Sequence, residues 1–165
     1  MVATLNRDGI SEVFADMLKA DTDVLYGATK LVQVITHDPT LYDNAKVDLA
    51  NPFKMFCWAT EEQTDTFQMQ SVMEVYTINI RIVGKLSIVQ DMIKMLDKIN
   101  ERIKYLVNAQ MFGADRFAAY YTDTDARIEN CYITNSTIEP PEYTENNTLQ
   151  TACEGVGEML IHRLF

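Results

Sequence analysis

Two histidines and three cysteines are the side chains of this chain best suited to catalysis or metal binding, and their spacing suits neither. His37 and His162 are far apart, and neither stands in HExxH or another paired-ligand spacing. A lone histidine is more often structural than a ligand, so His162 is expected to be solvated or paired with a carboxylate. Cys57, Cys131 and Cys153 are odd in number, widely separated and without a CxxC. A disulfide framework is therefore not expected, and a reducing compartment fits better. Cys57 lies in an apolar run and is read as a buried thiol, because reactive thiols need an accessible, electropositive setting.

The remaining candidates read as structure. Asp21-Thr22-Asp23 and Asp123-Thr124-Asp125 open like a calcium loop, but the glycine and terminal glutamate of that loop are missing at their spacings. Both are read as turns. Glu61-Glu62 reads as a solvated loop tip, and Gly155-Val156-Gly157 as a bend in a strand rather than a phosphate cradle. There is no GxSxG, GxxxxGK[ST] or GxGxxG. The sequence thus assigns no catalytic, cofactor-binding or metal residue and implies no cofactor, and the chain is expected not to be an enzyme. Catalytic residues scattered along a chain leave no such motif. The alternative of another class is a small cytoplasmic enzyme or ligand-binding domain, recognisable by a deep pocket lined with titratable groups.

The elements that must position any site fit one domain over residues 1–165, a length that can bury its own core. Twenty-four acidic residues against 14 basic ones give a net charge of −10. Such a surface repels phosphate backbones, which disfavours a protein that grips nucleic acid; plain solubility is the simplest use of the charge. The first residues lack a basic segment followed by an apolar one, so no signal peptide is expected. No apolar run approaches the roughly 18 residues of a membrane span, so no membrane partner is expected. Synthesis in the cytoplasm follows. The sequons Asn135-Ser136-Thr137 and Asn146-Asn147-Thr148 are read as chance matches.

Ile10, Val13, Phe14, Met17 and Leu18 make one apolar helical stripe, which predicts a short helix near 8–20. Val24–Tyr26 and Leu31–Ile35 read as strands, and 38–51 as a polar loop. A strand starting at Pro52 carries the aromatic run Phe53 to Trp58, where a missing N–H is tolerated at the first residue. Residues 61–70 are polar and predict a long hairpin loop. Tyr76, Ile78, Ile80 and Ile82 alternate with Val75, Thr77, Asn79 and Arg81, as a strand with one buried face does.

Ser87 and Gln90 form a capping box before a helical stripe running from Ile88 to Val107, which predicts a long helix over 88–108. Met92 and Met95 belong to its core side, whereas Met69 and Met73 suit a core or an interface equally. Phe112–Ala126 is strand or short helix, Arg127–Ile138 strand, and Leu149–Phe165 a last strand bent at its glycines. Pro140-Pro141 breaks the chain before a polar 142–148. The fold class is α+β: a mostly antiparallel sheet packed on one long helix, plus a short N-terminal helix.

This order resembles phage tail terminator proteins, chiefly in the strand beginning at Pro52 and in Val75-Tyr76-Thr77-Ile78-Asn79-Ile80-Arg81-Ile82. The resemblance spans residues 8–165 and is one of architecture, with no catalytic signature to match. It implies a structural virion protein that forms a homo-hexameric ring at the tail–neck junction, caps the tail tube and joins it to the head connector. The implied partners are copies of itself, the tail tube protein, a neck or connector protein and the tail sheath. DNA only passes through the lumen, and acidic walls would not hold it. The polar segments 38–51, 61–70 and 139–148 become candidate contacts, although 38–51 is longer than in shorter family members. Within the same biology the alternatives are a head–tail connector or stopper and a tail tube subunit.

Overall fold

A computed structural model describes residues 3–27, 29–37, 53–68, 70–86, 88–108, 116–143 and 149–165. Helix α1 (Arg7–Lys19) forms where the apolar stripe predicts it. Asn6 caps it, its Oδ1 accepting the Gly9 N–H at 2.8 Å. Helix α2 (Val89–Asn108) buries Met92, Leu96, Ile99, Ile103, Leu106 and Val107 along one stripe. Pro52, the 38–51 segment, Met69, Ser87, Phe112 and the sequon at 146–148 lie outside the described residues.

Six strands make one sheet: β1 (Val32–Thr36), β2 (Phe53–Gln68), β3 (Ser71–Leu86), β4 (Ala126–Ile138), β5 (Glu142–Tyr143) and β6 (Leu149–Leu164). The order is β1-β2-β3-β6-β4, with β5 paired to the start of β6. The sheet is mixed, because β1 runs parallel to β2 while every other pairing is antiparallel.

Four local expectations are corrected. Residues 61–68 are strand rather than loop, and Gln68 pairs with Ser71 at the end of the hairpin. Glu62, Gln63 and Thr64 are exposed there, so backbone pairing holds the strand where no burial pattern marks it. The expected strand at 24–26 is a single bridge between Tyr26 and Val32. Glu142-Tyr143, in the polar stretch where the sequence predicts no element, pairs with β6. Finally, β6 runs unbroken past its glycines, and the bulge falls on β4 between Ile133 and Asn135. A Cβ on Gly157 would come 2.6 Å from the Tyr132 carbonyl oxygen, so the glycine permits the close approach of the bulged neighbour. The Phe112–Ala126 segment holds a 3-10 turn at Ala118–Tyr120, preceded by a fully buried Phe117 whose ring stacks 6.2 Å from that of Phe14.

Both helices pack on one face of the sheet. The core joins Phe14 and Leu18 of α1, and Leu96 and Ile103 of α2, to Met55, Cys57, Ile78, Ile80, Cys153 and Ile161. Ser11 hydroxyl accepts the Ala59 N–H at 2.9 Å, which fixes α1 on β2. The opposite alternation set contributes only a small separate cluster of Phe56, Val83 and Ala152 against Trp58.

Candidate assembly surface

Residues with chemical potential are kept apart by this fold. His162 is half-buried on β6 with Nδ1 3.7 Å from Glu129 Oε1, and His37 is exposed just beyond β1. Cys57, Cys131 and Cys153 are all free and buried. Burial pushes all three thiols up, away from the reactive thiolate. Among the described residues no three His, Cys, Asp or Glu side chains converge as a metal site would require, and no helix is long and apolar enough to cross a membrane.

The two Asp-Thr-Asp sequences have structural partners. Asp21, at the end of α1, accepts two hydrogen bonds from Arg102 of α2 and one from the Leu25 N–H. The Arg102 guanidinium holds the Asp21 carboxyl below its ordinary range. Asp123 accepts the Leu5 N–H and so ties the segment before α1 to the segment before β4. Arg163 forks onto Glu74 at 2.8 and 3.0 Å and also donates to the Leu5 carbonyl. Spacing along the chain did not disclose either ion pair, because the partners are 81 and 89 residues apart.

The helix-free face of the sheet is the larger feature. Register sets its residues in rows across four strands. Trp58, Asn79, Val156 and Asn135 make one row; Phe56, Arg81, Glu154 and Thr137 make the next. Further along, Val75 aligns with Leu160, and Met73 with His162. Trp58, Met73, Val75, Val156 and Leu160 are each half-buried, which is what a pleated surface achieves from lateral neighbours alone.

No protein-family model and no curated protein sequence matches this chain. The surface itself therefore carries the functional argument.

Several of its charges are paired within the face. Arg81 reaches Glu154 and lies 3.5 Å from Glu139, while the Tyr132 hydroxyl donates to Glu158. The Tyr132 hydroxyl is held up by that carboxylate. Beside Arg81 an open groove of about 580 Å³ runs between the sheet and the Glu139–Tyr143 segment. Among the described residues that line it, the one cation, Arg81, is already paired with carboxylates, and none is histidine, cysteine or serine. Such a groove has neither an activated nucleophile nor a poised acid–base pair. What the face offers is half-buried apolar side chains set among polar ones and ion pairs, a make-up compatible with packing against protein.

Proposed function

We propose that this protein is a structural assembly protein, a tail terminator whose copies close into a ring at the tail–neck junction. In that role it caps the tail tube and joins it to the head connector. The observation that carries the reading is the helix-free sheet face, with Trp58, Val75, Val156 and Leu160 in rows along strands of up to 16 residues. A face this extended and partly apolar suits a flat protein contact better than a small-molecule pocket. The short first helix, long second helix and C-terminal strands support the reading as parts of the architecture the resemblance implies, whereas the long hairpin loop it also implies is replaced by paired strand over residues 61–68. The net charge of −10 suits a lumen through which DNA passes without being held.

A second reading, as a tail tube subunit, is favoured by one observation. The strands hold about twice as many residues as the two helices, a larger β share than the sequence pattern suggested. The 20-residue α2 argues the other way. Copy number separates the two. Quantitative mass spectrometry of purified particles is expected to give one ring's worth of this chain per tail. A count that scales with tail length would instead make it a tube subunit, and its absence from particles would remove both readings.

A further inference from the structure

The two edges of the sheet are treated differently. At the β1 edge, Val32 donates its N–H to the Leu25 carbonyl at 2.7 Å and accepts the Gly27 N–H at 3.1 Å, so a neighbouring segment of the same chain closes that edge. At the β4 edge the first half is closed as well. The Ile128 N–H goes to the Tyr121 hydroxyl, and the Cys131 N–H is taken by the Asn130 side chain at 2.8 Å.

The second half of β4 is open. Glu139 donates its N–H to the Ala152 carbonyl on β6 at 2.8 Å. Strand alternation then turns the backbone groups of Thr137 toward β6 and those of Ser136 and Ile138 away from it. Among the described residues no strand pairs with them on that side. Unpaired edge groups of this kind are a template for another strand, and proteins usually blunt them with lysine, proline or charge. None stands within Ser136–Ile138, and Glu139 and Pro140 come only after it. Asn130–Ile138, reading NCYITNSTI, is the longest run without an acidic or basic residue on any strand of the sheet. Thr134, Asn135 and Thr137 are exposed.

We propose that this open half-edge pairs antiparallel with the same strand of a second copy, joining two sheets across a two-fold axis. Charge selects that occupant. Two copies each carrying −10 repel nearly everywhere, and this neutral edge is where they can approach without like charges set opposite each other. Residues facing across a ladder must share a sheet face, which fixes the axis on a residue rather than between two. Centred on Thr137, the pairing sets Ser136 of each copy against Ile138 of the other, so that both exchange N–H···O bonds. It also sets the two exposed Thr137 side chains against each other and Glu139 against the neutral Asn135. The contact uses the same surface of both copies and closes at two, so it does not rest on the ring reading.

The test uses the full chain over a range of concentrations, with mass from sedimentation and backbone amide exchange read together. The mass is expected to rise from 18.9 kDa toward twice that value, while the Ser136 and Ile138 amides gain protection in step. Ser136→Pro removes an outward N–H and is expected to stay at the single-chain mass with an unchanged melting temperature. Thr137→Pro removes an N–H facing β6 and is expected to lower the melting temperature. A wild-type mass of 18.9 kDa at every concentration would overturn the pairing. So would association that leaves the Ser136 and Ile138 amides unprotected, an outcome that leaves the ring reading standing. If Ser136→Pro does not fold, the wild-type exchange data decide alone.

Discussion

Arg102 on α2 grips Asp21 at the end of α1 with both arms of its guanidinium, Nε to Oδ2 at 2.8 Å and the terminal nitrogen to Oδ1 at 2.7 Å. The same guanidinium lies 5.0 Å from the centre of the Tyr105 ring. The Asp21 side chain is 5% exposed, so the pair is the link between the two helices that the sheet alone does not supply. Arg102→Met is expected to cost about 3 kcal/mol, because it leaves a buried carboxylate unpaired. Urea unfolding measures it. Arg102→Lys is expected to recover only part, since an ammonium cannot form the fork.

The same pair sets an acid limit. Asp21 has its carboxyl held below the ordinary range by Arg102 in the folded protein, and regains the ordinary value on unfolding. Its contribution is therefore fully present above about pH 4, the unfolded carboxylate range. It is lost as pH falls from there through the lower folded value. Unfolding midpoints measured down an acid series are expected to fall less steeply in Asp21→Asn than in the wild type. Equal slopes would mean that the carboxylate does not contribute.

Gly157 faces a fixed obstacle. An added Cβ would lie 2.6 Å from the Tyr132 carbonyl oxygen and 3.1 Å from Ile133 Cδ1. Because the nearest atom is backbone at the β4 bulge, it cannot swing aside, and Gly157→Ala is expected to cost about 2 kcal/mol by thermal unfolding. Gly155→Ala, where the nearest atom is 3.5 Å away, is expected to be close to neutral.

All three thiols are buried, and burial raises each of them. A thiol-reactive dye is expected to label none of Cys57, Cys131 and Cys153 in the native protein and all three in denaturant. Rapid labelling of any one without denaturant would show that its part of the core opens.

The half-buried apolar side chains of the helix-free face predict a separation of folding from assembly. Val156→Glu places a charge between Asn79 and Asn135 without touching the helix-side core. Its stability is expected to change by no more than about 1 kcal/mol. Its incorporation into particles, measured by complementation, is expected to be lost.

Both helices were legible because their stripes follow one turn of an α-helix: Ile10 to Leu18 marks α1, and Ile88 to Val107 marks α2. The Tyr76–Ile82 strand was legible for the matching reason, since Ile78, Ile80 and Ile82 alternate into one core. The far part of the β2–β3 hairpin was not. Glu62, Gln63 and Thr64 are exposed, so nothing in their side chains reports the backbone pairing that keeps them extended. The parallel β1–β2 pairing was hidden too, because Val32–Thr36 reads the same in either direction. The assembly surface leaves only a weak trace. Trp58, Val75, Val156 and Leu160 come from three strands, and only register brings them into rows.

The central claim, a ring at one end of the tail, is tested most directly by locating this chain in intact particles. Electron microscopy with an antibody against it is expected to place label only at the tail–neck junction, with averaged images showing a closed ring there. Label along the tube, on the head or at the distal tip would contradict the account.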